Sequence, residues 1–178
     1  RAIPPETTRA LIRERTLGRY APPVLGGAGA GPRGVQQPRA AETWYRPSPL
    51  DRPPVVGINP KKKDKEEKRK PDPKEPFCGL VFKIVADEHN ELAYLRIYSG
   101  TLKVNSRVYN PGKDTKEAIS KLYHTLADPK DREDVPETYA GDIVAMIGLK
   151  DSTTGDTLCE TQHPILLERI SFAEAVVS

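Results

Sequence analysis

The sequence predicts a mostly β protein, built as a sandwich or barrel of short strands and preceded by an extended, partly helical segment. Proline is concentrated in the first part, because 14 of the 18 prolines occur at or before Pro76. Charge changes at nearly the same place: residues 1–75 hold 17 Lys and Arg against 9 Asp and Glu, whereas residues 76–178 hold 11 against 16. After Pro76, short apolar runs alternate with turn sequences, which is typical of sandwiches and barrels.

The chain begins with a predicted helix. Between residues 5 and 20, apolar side chains such as Leu11, Ile12 and Leu17 recur among charged residues, and a proline occurs early, where a helix tolerates it. We expect this single short helix to close near Gly18, because glycine commonly ends helices.

A glycine-rich loop follows at residues 26–34, after a predicted strand remnant at residues 24–25. Residues 29–34 match the glycine spacing of a dinucleotide-binding fingerprint, and Asp51 lies at a suitable distance downstream. The match is rejected because nearby prolines obstruct the helix that would hold the pyrophosphate, and no strand-helix-strand unit surrounds it. No Gly-Lys-Ser or Gly-Lys-Thr sequence occurs in the chain, which excludes a Walker-type phosphate loop within it.

Two segments separate this loop from the predicted strands. Residues 35–60 contain six prolines, each of which fixes its own backbone and biases the preceding residue, so we predict a stiff, extended connector. Residues 61–70 hold seven cations, three anions and no apolar side chain, which predicts a solvated loop. The alternative is a loop that touches RNA phosphates without sequence specificity.

The β part begins with a predicted hairpin. Residues 77–86 form a nearly continuous apolar and β-branched run, and a polar turn at residues 87–91 leads to a second strand at residues 92–98. In that second strand Ala93, Leu95 and Ile97 share one face and Tyr94, Arg96 and Tyr98 share the other. Further strands are expected at residues 107–109, 142–147 and 169–177.

One segment gives two conflicting predictions. Ala118, Ile119, Leu122, Tyr123 and Leu126 recur at helical spacing, which by itself favours an amphipathic helix. This helical spacing departs from the β pattern of the segments on either side.

No catalytic or metal site is predicted. Cys78 and Cys159 have no CxxC spacing and are expected to be reduced, buried thiols, with a disulfide as the less favoured alternative. His89, His124 and His163 are scattered and lack the spacing of a metal site or a nucleophile-base pair. No apolar run approaches the length of a membrane helix, so we expect a soluble, cytoplasmic protein that contacts no membrane. The first residue is Arg, which suggests a piece of a longer protein.

Several strings of the β part resemble the second domain of the bacterial elongation factor G family of translational GTPases. The longest is Tyr-Ala-Gly-Asp-Ile-Val-Ala-Met-Ile-Gly-Leu-Lys-Asp at residues 139–151, continued by Thr-Gly-Asp-Thr-Leu-Cys at residues 154–159. Glu-Pro-Phe at residues 75–77, Arg-Ile-Tyr-Ser-Gly-Thr-Leu at 96–102 and His-Pro-Ile-Leu-Leu-Glu at 163–168 agree with the same domain. Gly-Asp pairs at 141–142 and 155–156 supply turn chemistry between the apolar strands.

The resemblance implies a closed antiparallel β-barrel of the translation-factor domain II type at residues 76–178. It also implies a strand over residues 115–126, which we adopt in place of the helix that the spacing favours. Residues 59–75 are then a basic linker, and residues 1–58 are the C-terminal remnant of an α/β GTP-binding domain. The implied function is that of a ribosome-docking barrel in the factor that catalyses ribosomal translocation. A ribosomal protection or release-factor relative and an unrelated RNA or protein interaction barrel stay open as alternatives, because fold does not fix function.

The resemblance also implies cofactors and partners. The intact factor would bind GTP and Mg²⁺, and none is expected for this part of it, which we expect to be inactive alone. The family's guanine-contacting loop falls at Ala28, Gly29, Ala30 and Gly31, where this sequence has no serine or lysine, so guanine contact is not expected there. The partners would be the ribosome, mainly its small-subunit RNA, and the remaining domains of the same factor. Exposed side chains flanking the loops are the candidates for RNA contact: Arg96, Tyr98, Lys103, Arg107, Lys121 and His124.

Overall fold

The computed structural model describes residues 3–28, 31, 34–62, 65–86, 91–125 and 131–167. The chain divides into two compact units, Arg1–Arg52 and Pro53–Ser178. This division lies six residues before the predicted boundary at residue 58. The second unit therefore includes the strand Val55–Asn59, whereas the predicted boundary divides this strand between the first domain and the linker.

The first unit contains two helices, α1 at Pro5–Leu17 and α2 at Gln36–Tyr45, and a short 3-10 helix at Pro49–Asp51. Helix α1 ends at Leu17 with Gly18 as its C-cap, which confirms the predicted end near Gly18. Neither described helix is long and apolar enough to cross a membrane.

Helix α2 contradicts the predicted extended connector. Its proline, Pro38, is the third helical residue, where a backbone N–H has no partner within the helix, so its loss costs little. Ala41 and Tyr45 bury one side of this helix. The guanidinium of Arg13 donates to the Trp44 carbonyl at 2.7 Å and to the Asp51 carboxylate at 2.6 Å. The predicted strand at residues 24–25 does not form, and Val24 is 93% exposed.

The second unit consists of three antiparallel sheets formed by thirteen described strands. The strands are β1 Val55–Asn59, β2 Lys65–Arg69, β3 Cys78–Ala86, β4 Glu91–Ser99, β5 Thr101–Lys103, β6 Arg107–Asn110, β7 Thr115–Ala118, β8 Lys121–Thr125, β9 Arg132–Asp134, β10 Glu137–Tyr139, β11 Ile143–Ile147, β12 Thr157–Cys159 and β13 Leu166–Leu167. The large sheet has the order β7-β6-β12-β3-β4-β11-β8-β9. The small sheet has the order β13-β1-β2, and β10 pairs with β5.

The predicted hairpin and most of the predicted strands are confirmed. Strands β3 and β4 pair antiparallel over their whole length, and most of the turn between them, like the predicted strand at residues 169–177, lies outside the described residues. Residues 115–118 and 121–125 form the strands β7 and β8, so the helix favoured by their spacing is wrong. The single strand that the resemblance implied is divided in two by residues 119–120, and Leu126 lies outside the described residues. The predicted linker at residues 59–75 includes β2, so the solvated loop predicted at residues 61–70 is wrong for residues 65–69.

Strand β2 forms because its polar side chains find partners on the small sheet. Glu67 accepts a hydrogen bond from the Asn59 amide at 2.7 Å and one from the Arg69 guanidinium at 2.8 Å. Asn59 and Arg69 are both buried. The Asn59 and Arg69 hydrogen bonds to Glu67 hold the pKa of its carboxyl below the ordinary value, although burial opposes them. Charge in this segment is therefore paired within a strand rather than left in a solvated loop.

The predicted closed barrel is wrong for the described residues, because none of their sheets closes on itself. Strands β7 and β8 follow each other in the chain but lie towards opposite edges of the large sheet. The corner between them uses its backbone groups elsewhere: Ile119 donates to Ser106 and accepts from Asn105, and Ser120 donates to Ile147. At this corner, single backbone hydrogen bonds form in place of the continuous strand pairing that would close the barrel.

Two apolar clusters lie on opposite faces of the large sheet. The main core contains the inward side chains of β4, Ala93, Leu95 and Ile97, together with Phe77 and further apolar residues of the other strands and corners. The second cluster joins Cys78, Tyr109 and Cys159 to Ile165 and Leu167 of the small-sheet side. Both cysteines are free and fully buried, as predicted, although they face each other across β3 and β12.

A buried polar network fixes the turn before β12. Glu117 accepts hydrogen bonds from the backbone N–H groups of Lys150, Asp151 and Ser152 at 2.8 to 3.0 Å, and from the Ser152 hydroxyl at 2.8 Å. Burial alone would raise the pKa of Glu117, but these hydrogen bonds outweigh it and hold the pKa below the ordinary value of 4.5. Burial would likewise raise the pKa of Asp156. Hydrogen bonds from the Thr153 backbone N–H, the Asn110 amide and the Lys113 ammonium outweigh burial and hold this pKa below its ordinary value of 3.8.

This network predicts acid sensitivity. Both carboxyl groups have a lowered pKa in the folded state, so their stabilisation is complete above the ordinary values and is lost as pH falls through the folded ones. We expect the free energy of unfolding to fall steadily below pH 4.5. Urea unfolding at a series of pH values would measure this, and Asp156→Asn should flatten the dependence. An unchanged pH profile in that variant would contradict the assignment.

Candidate nucleic-acid interface

The face of the large sheet opposite the main core carries the candidate site. Alternation along β4 directs Tyr94, Arg96 and Tyr98 to this side, because Ala93, Leu95 and Ile97 point into the core. Register extends the face to neighbouring strands: Arg96 lies opposite Ile143, Ala145 opposite both Tyr94 and Tyr123, and Tyr123 opposite Asp134. We call this surface the open outer face, and it consists of Lys83, Tyr94, Arg96, Lys121, Tyr123, Arg132, Asp134 and Ile143.

Cations lie over aromatic rings at three places on or beside this face. The Lys83 ammonium is 5.7 Å from the centre of the Tyr94 ring, and the Arg96 guanidinium is 5.7 Å from that of Tyr98. The Arg132 guanidinium is 6.0 Å from the centre of the Tyr123 ring. Each distance is within the range in which a cation is attracted to the ring face.

The charge of the face is opposite to that of the surrounding sequence. Residues 76–178 hold more acidic than basic side chains. On the open outer face the described residues include four cations, Lys83, Arg96, Lys121 and Arg132, and one anion, Asp134. Cations therefore outnumber anions on this face, whereas acidic side chains outnumber basic ones in residues 76–178 as a whole. This arrangement suits a polyanion that is bound from that side.

The structure brings together only part of the predicted contact set. Arg96 and Lys121 lie on the open outer face, and Tyr98 lies at its border, where it packs against the second cluster. Lys103 and Arg107 instead line a cleft of about 540 Å³ at another part of the unit, where Lys103 is also 3.4 Å from Glu137. His124 lies opposite Glu133, on the other face of β8 from Tyr123.

The predicted contact set lacks two cations and two tyrosines of the face: Lys83, Arg132, Tyr94 and Tyr123. Strand β3 has a bulge between Val81 and Lys83, which turns Lys83 toward Tyr94. The helical spacing around Tyr123 did not indicate which face of a strand this residue would occupy. The alternation of β4 already placed Tyr94 beside Arg96, so that residue could have been found from the sequence.

The described residues at the position of the family's guanine-contacting loop carry no polar side chain. Gly29 and Ala30 of the glycine-rich loop lie outside them. Ala28 and Gly31 offer only backbone groups, and the Ala28 carbonyl already accepts from the Gly31 N–H at 3.2 Å. Within the described ranges, His, Cys, Asp and Glu form no group that could hold a metal ion.

Comparison with known proteins finds one matching family model and similar relatives. Residues 90–159 match the family model described as elongation factor Tu domain 2. The chain is 42% identical over 174 residues to elongation factor G of Aquifex pyrophilus, which is 97% of this chain and 24% of the relative. It is 44% identical over 167 residues to elongation factor G 2 of Syntrophus aciditrophicus (strain SB), 94% of this chain and 24% of that relative.

The chain spans about a quarter of the length of the curated relatives that it matches. Within that quarter, the similarity extends over both units and almost all of the described strands. Such identity over nearly the whole sequence means that the chain belongs to the elongation factor G family.

Proposed function

We propose that this chain acts in translation elongation as a ribosome-docking part of an elongation factor that drives translocation. Its partner is the ribosome, mainly the RNA of the small subunit, and the contact surface is the open outer face. The cation excess of that face within an acidic sequence carries the proposal, because phosphate groups supply the complementary charge.

The proposal divides the work between this chain and the rest of the whole protein. GTP and Mg²⁺ are bound by other parts, and the relatives are about four times as long as this chain, which leaves room for them. The glycine-rich loop at residues 26–34 contains no serine or lysine, which supports the same division. The remaining domains of the factor are then partners of this chain, and its place of action is the cytoplasm.

Within the predicted contact set, the roles differ. Arg96 and Lys121 meet phosphates from the open outer face, and Tyr98 supports Arg96 from the second cluster. Lys103 and Arg107 contribute a separate contact from their cleft. His124, on the opposite side of β8, has the weakest geometric support of the six.

Cosedimentation of the 178-residue chain with ribosomes tests the proposal. The double variant Arg96→Gln and Lys121→Gln is expected to bind several-fold more weakly. Its log K should also depend less steeply on log salt, by about one unit of slope for each phosphate that it no longer neutralises. Lys116→Gln is the matched control, since Lys116 is an exposed cation of β7 at the far edge of the large sheet. Equal binding by the double variant and the control would contradict the proposal.

A further inference from the structure

The open outer face combines cations with aromatic rings, and this combination distinguishes unpaired from double-stranded RNA. A duplex presents phosphates and shields its bases, so lysine and arginine alone suffice to bind it. Unpaired nucleotides offer base faces as well, and proteins bind these by stacking on aromatic rings or on the planes of arginine side chains.

The pairs of a cation and an aromatic ring are distributed across the width of the large sheet. Tyr94 and Tyr123 lie on either side of Ala145, two strand spacings or about 10 Å apart. The small side chain of Ala145 leaves room for both rings. Arg96 follows Tyr94 by two residues, about 7 Å along β4, so the aromatic and cationic groups alternate in two directions.

Apolar surface is exposed beside these pairs. Ile143 lies directly opposite Arg96 and is 46% exposed, and Phe82 is 37% exposed with its ring centre 6.2 Å from that of Tyr94. Phosphate binding requires no such apolar neighbours, whereas a base that lies flat on the sheet covers them. The surface therefore offers contacts to both parts of an unpaired nucleotide.

We propose that the open outer face binds an unpaired RNA segment. Its bases stack on the rings of Tyr94 and Tyr123 and on the planes of the arginine side chains. Its phosphates are held by the cations of the face, Lys83, Arg96, Lys121 and Arg132. This inference rests on the proposed docking function and names the kind of RNA that is docked. The contact is sequence-tolerant, because every base has a face that can stack.

Binding of the whole 178-residue chain to two probes tests the inference: an oligouridine of about 12 nucleotides and the duplex that it forms with oligoadenine. We expect tighter binding to the unpaired probe. The double variant Tyr94→Leu and Tyr123→Leu should bind it about tenfold more weakly for each ring removed, while duplex binding changes little. The matched control, Tyr94→Phe with Tyr123→Phe, retains the rings and should bind both probes as the unchanged chain does. Circular dichroism of each variant verifies that its strands are intact.

The other outcomes separate this inference from the proposed function. Salt-sensitive ribosome binding without preference for the unpaired probe would overturn the inference and leave ribosome docking standing. Leucine variants that bind both probes normally but no longer bind ribosomes would indicate a ribosomal protein as the partner, and would also overturn it. If the unchanged chain bound neither the RNA probes nor ribosomes, both this inference and the proposed function would be refuted.

Discussion

The variant Glu117→Ala is expected to lower the free energy of unfolding by about 3 to 4 kcal/mol. Glu117 is 2% exposed, and its two carboxylate oxygens accept three backbone hydrogen bonds and one hydroxyl hydrogen bond. Alanine removes every acceptor at once and leaves the N–H groups of residues 150–152 without a partner, each at a cost of about 1 to 3 kcal/mol where water cannot replace it. The turn that precedes β12 then loses the group around which it is organised.

Urea unfolding followed by far-ultraviolet circular dichroism measures this effect. Glu117→Gln should fall between the alanine variant and the unchanged chain, because its single amide oxygen still accepts hydrogen bonds while its amide nitrogen faces other donors. Glu133→Ala is the control, since Glu133 is an exposed carboxylate of β9. A change below about 1 kcal/mol in Glu117→Ala would mean that water replaces the carboxylate and that the network contributes little.

The second large effect is expected for Gly100→Ala, at about 3 kcal/mol or more. Gly100 has a φ of 76°, and a Cβ atom there would meet backbone atoms of Phe77 at 2.5 and 2.6 Å and the carbonyl of Glu75 at 2.7 Å. Because all three neighbours are backbone atoms, no side-chain rotation relieves the clash. The free-energy cost of a positive φ at alanine adds to the cost of displacing the backbone at Phe77, directly before β3.

Gly26→Ala is the matched control, because a Cβ atom at Gly26 would meet no atom within 4 Å. Thermal unfolding of the two variants beside the unchanged chain gives the comparison. We expect the midpoint to fall by several degrees or the chain to become insoluble in Gly100→Ala alone. Equal midpoints for the two variants would show that the close approach to Phe77 is relieved without cost.

The elements that were predictable are those in which local chemistry and tertiary packing agree. Alternation in β4 and the apolar run of β3 identified the central hairpin, because their inward residues are the main core. The Gly-Asp pairs identified turns for a similar reason. Gly141 has a φ of 101°, and Asp142 accepts hydrogen bonds from the Tyr139 N–H and the Thr138 hydroxyl.

Other elements depend on partners that are distant in the sequence. Strand β2 looks like a solvated charge run until Asn59 and Arg69 are seen to engage Glu67. Helix α2 contains a proline that argues against it unless its place in the first turn is known. The open form of the large sheet follows from backbone hydrogen bonds at Ile119 and Ser120, which no local pattern reveals.

Within the candidate site, the sequence could predict which side chains lie together only for residues that share one strand. Arg96 was placed beside Tyr98 because both follow the alternation of β4. Lys103, Arg107 and His124 were chosen as exposed loop-flanking side chains, and exposure alone does not determine the face on which a side chain lies. Lys83 required the bulge in β3, and Arg132 required the register between β8 and β9.

The small sheet joins segments from far apart in the chain, because Gly57 of β1 pairs with Leu167 of β13. The β1-β2 hairpin is local and can form early, but the third strand of its sheet is among the last described residues to be synthesised. Non-local pairing of this kind slows folding, since the entropy of loop closure opposes it before any favourable interaction has formed. On a translating ribosome, the cover over Cys78 and Cys159 is therefore completed only after β13 has left the exit tunnel.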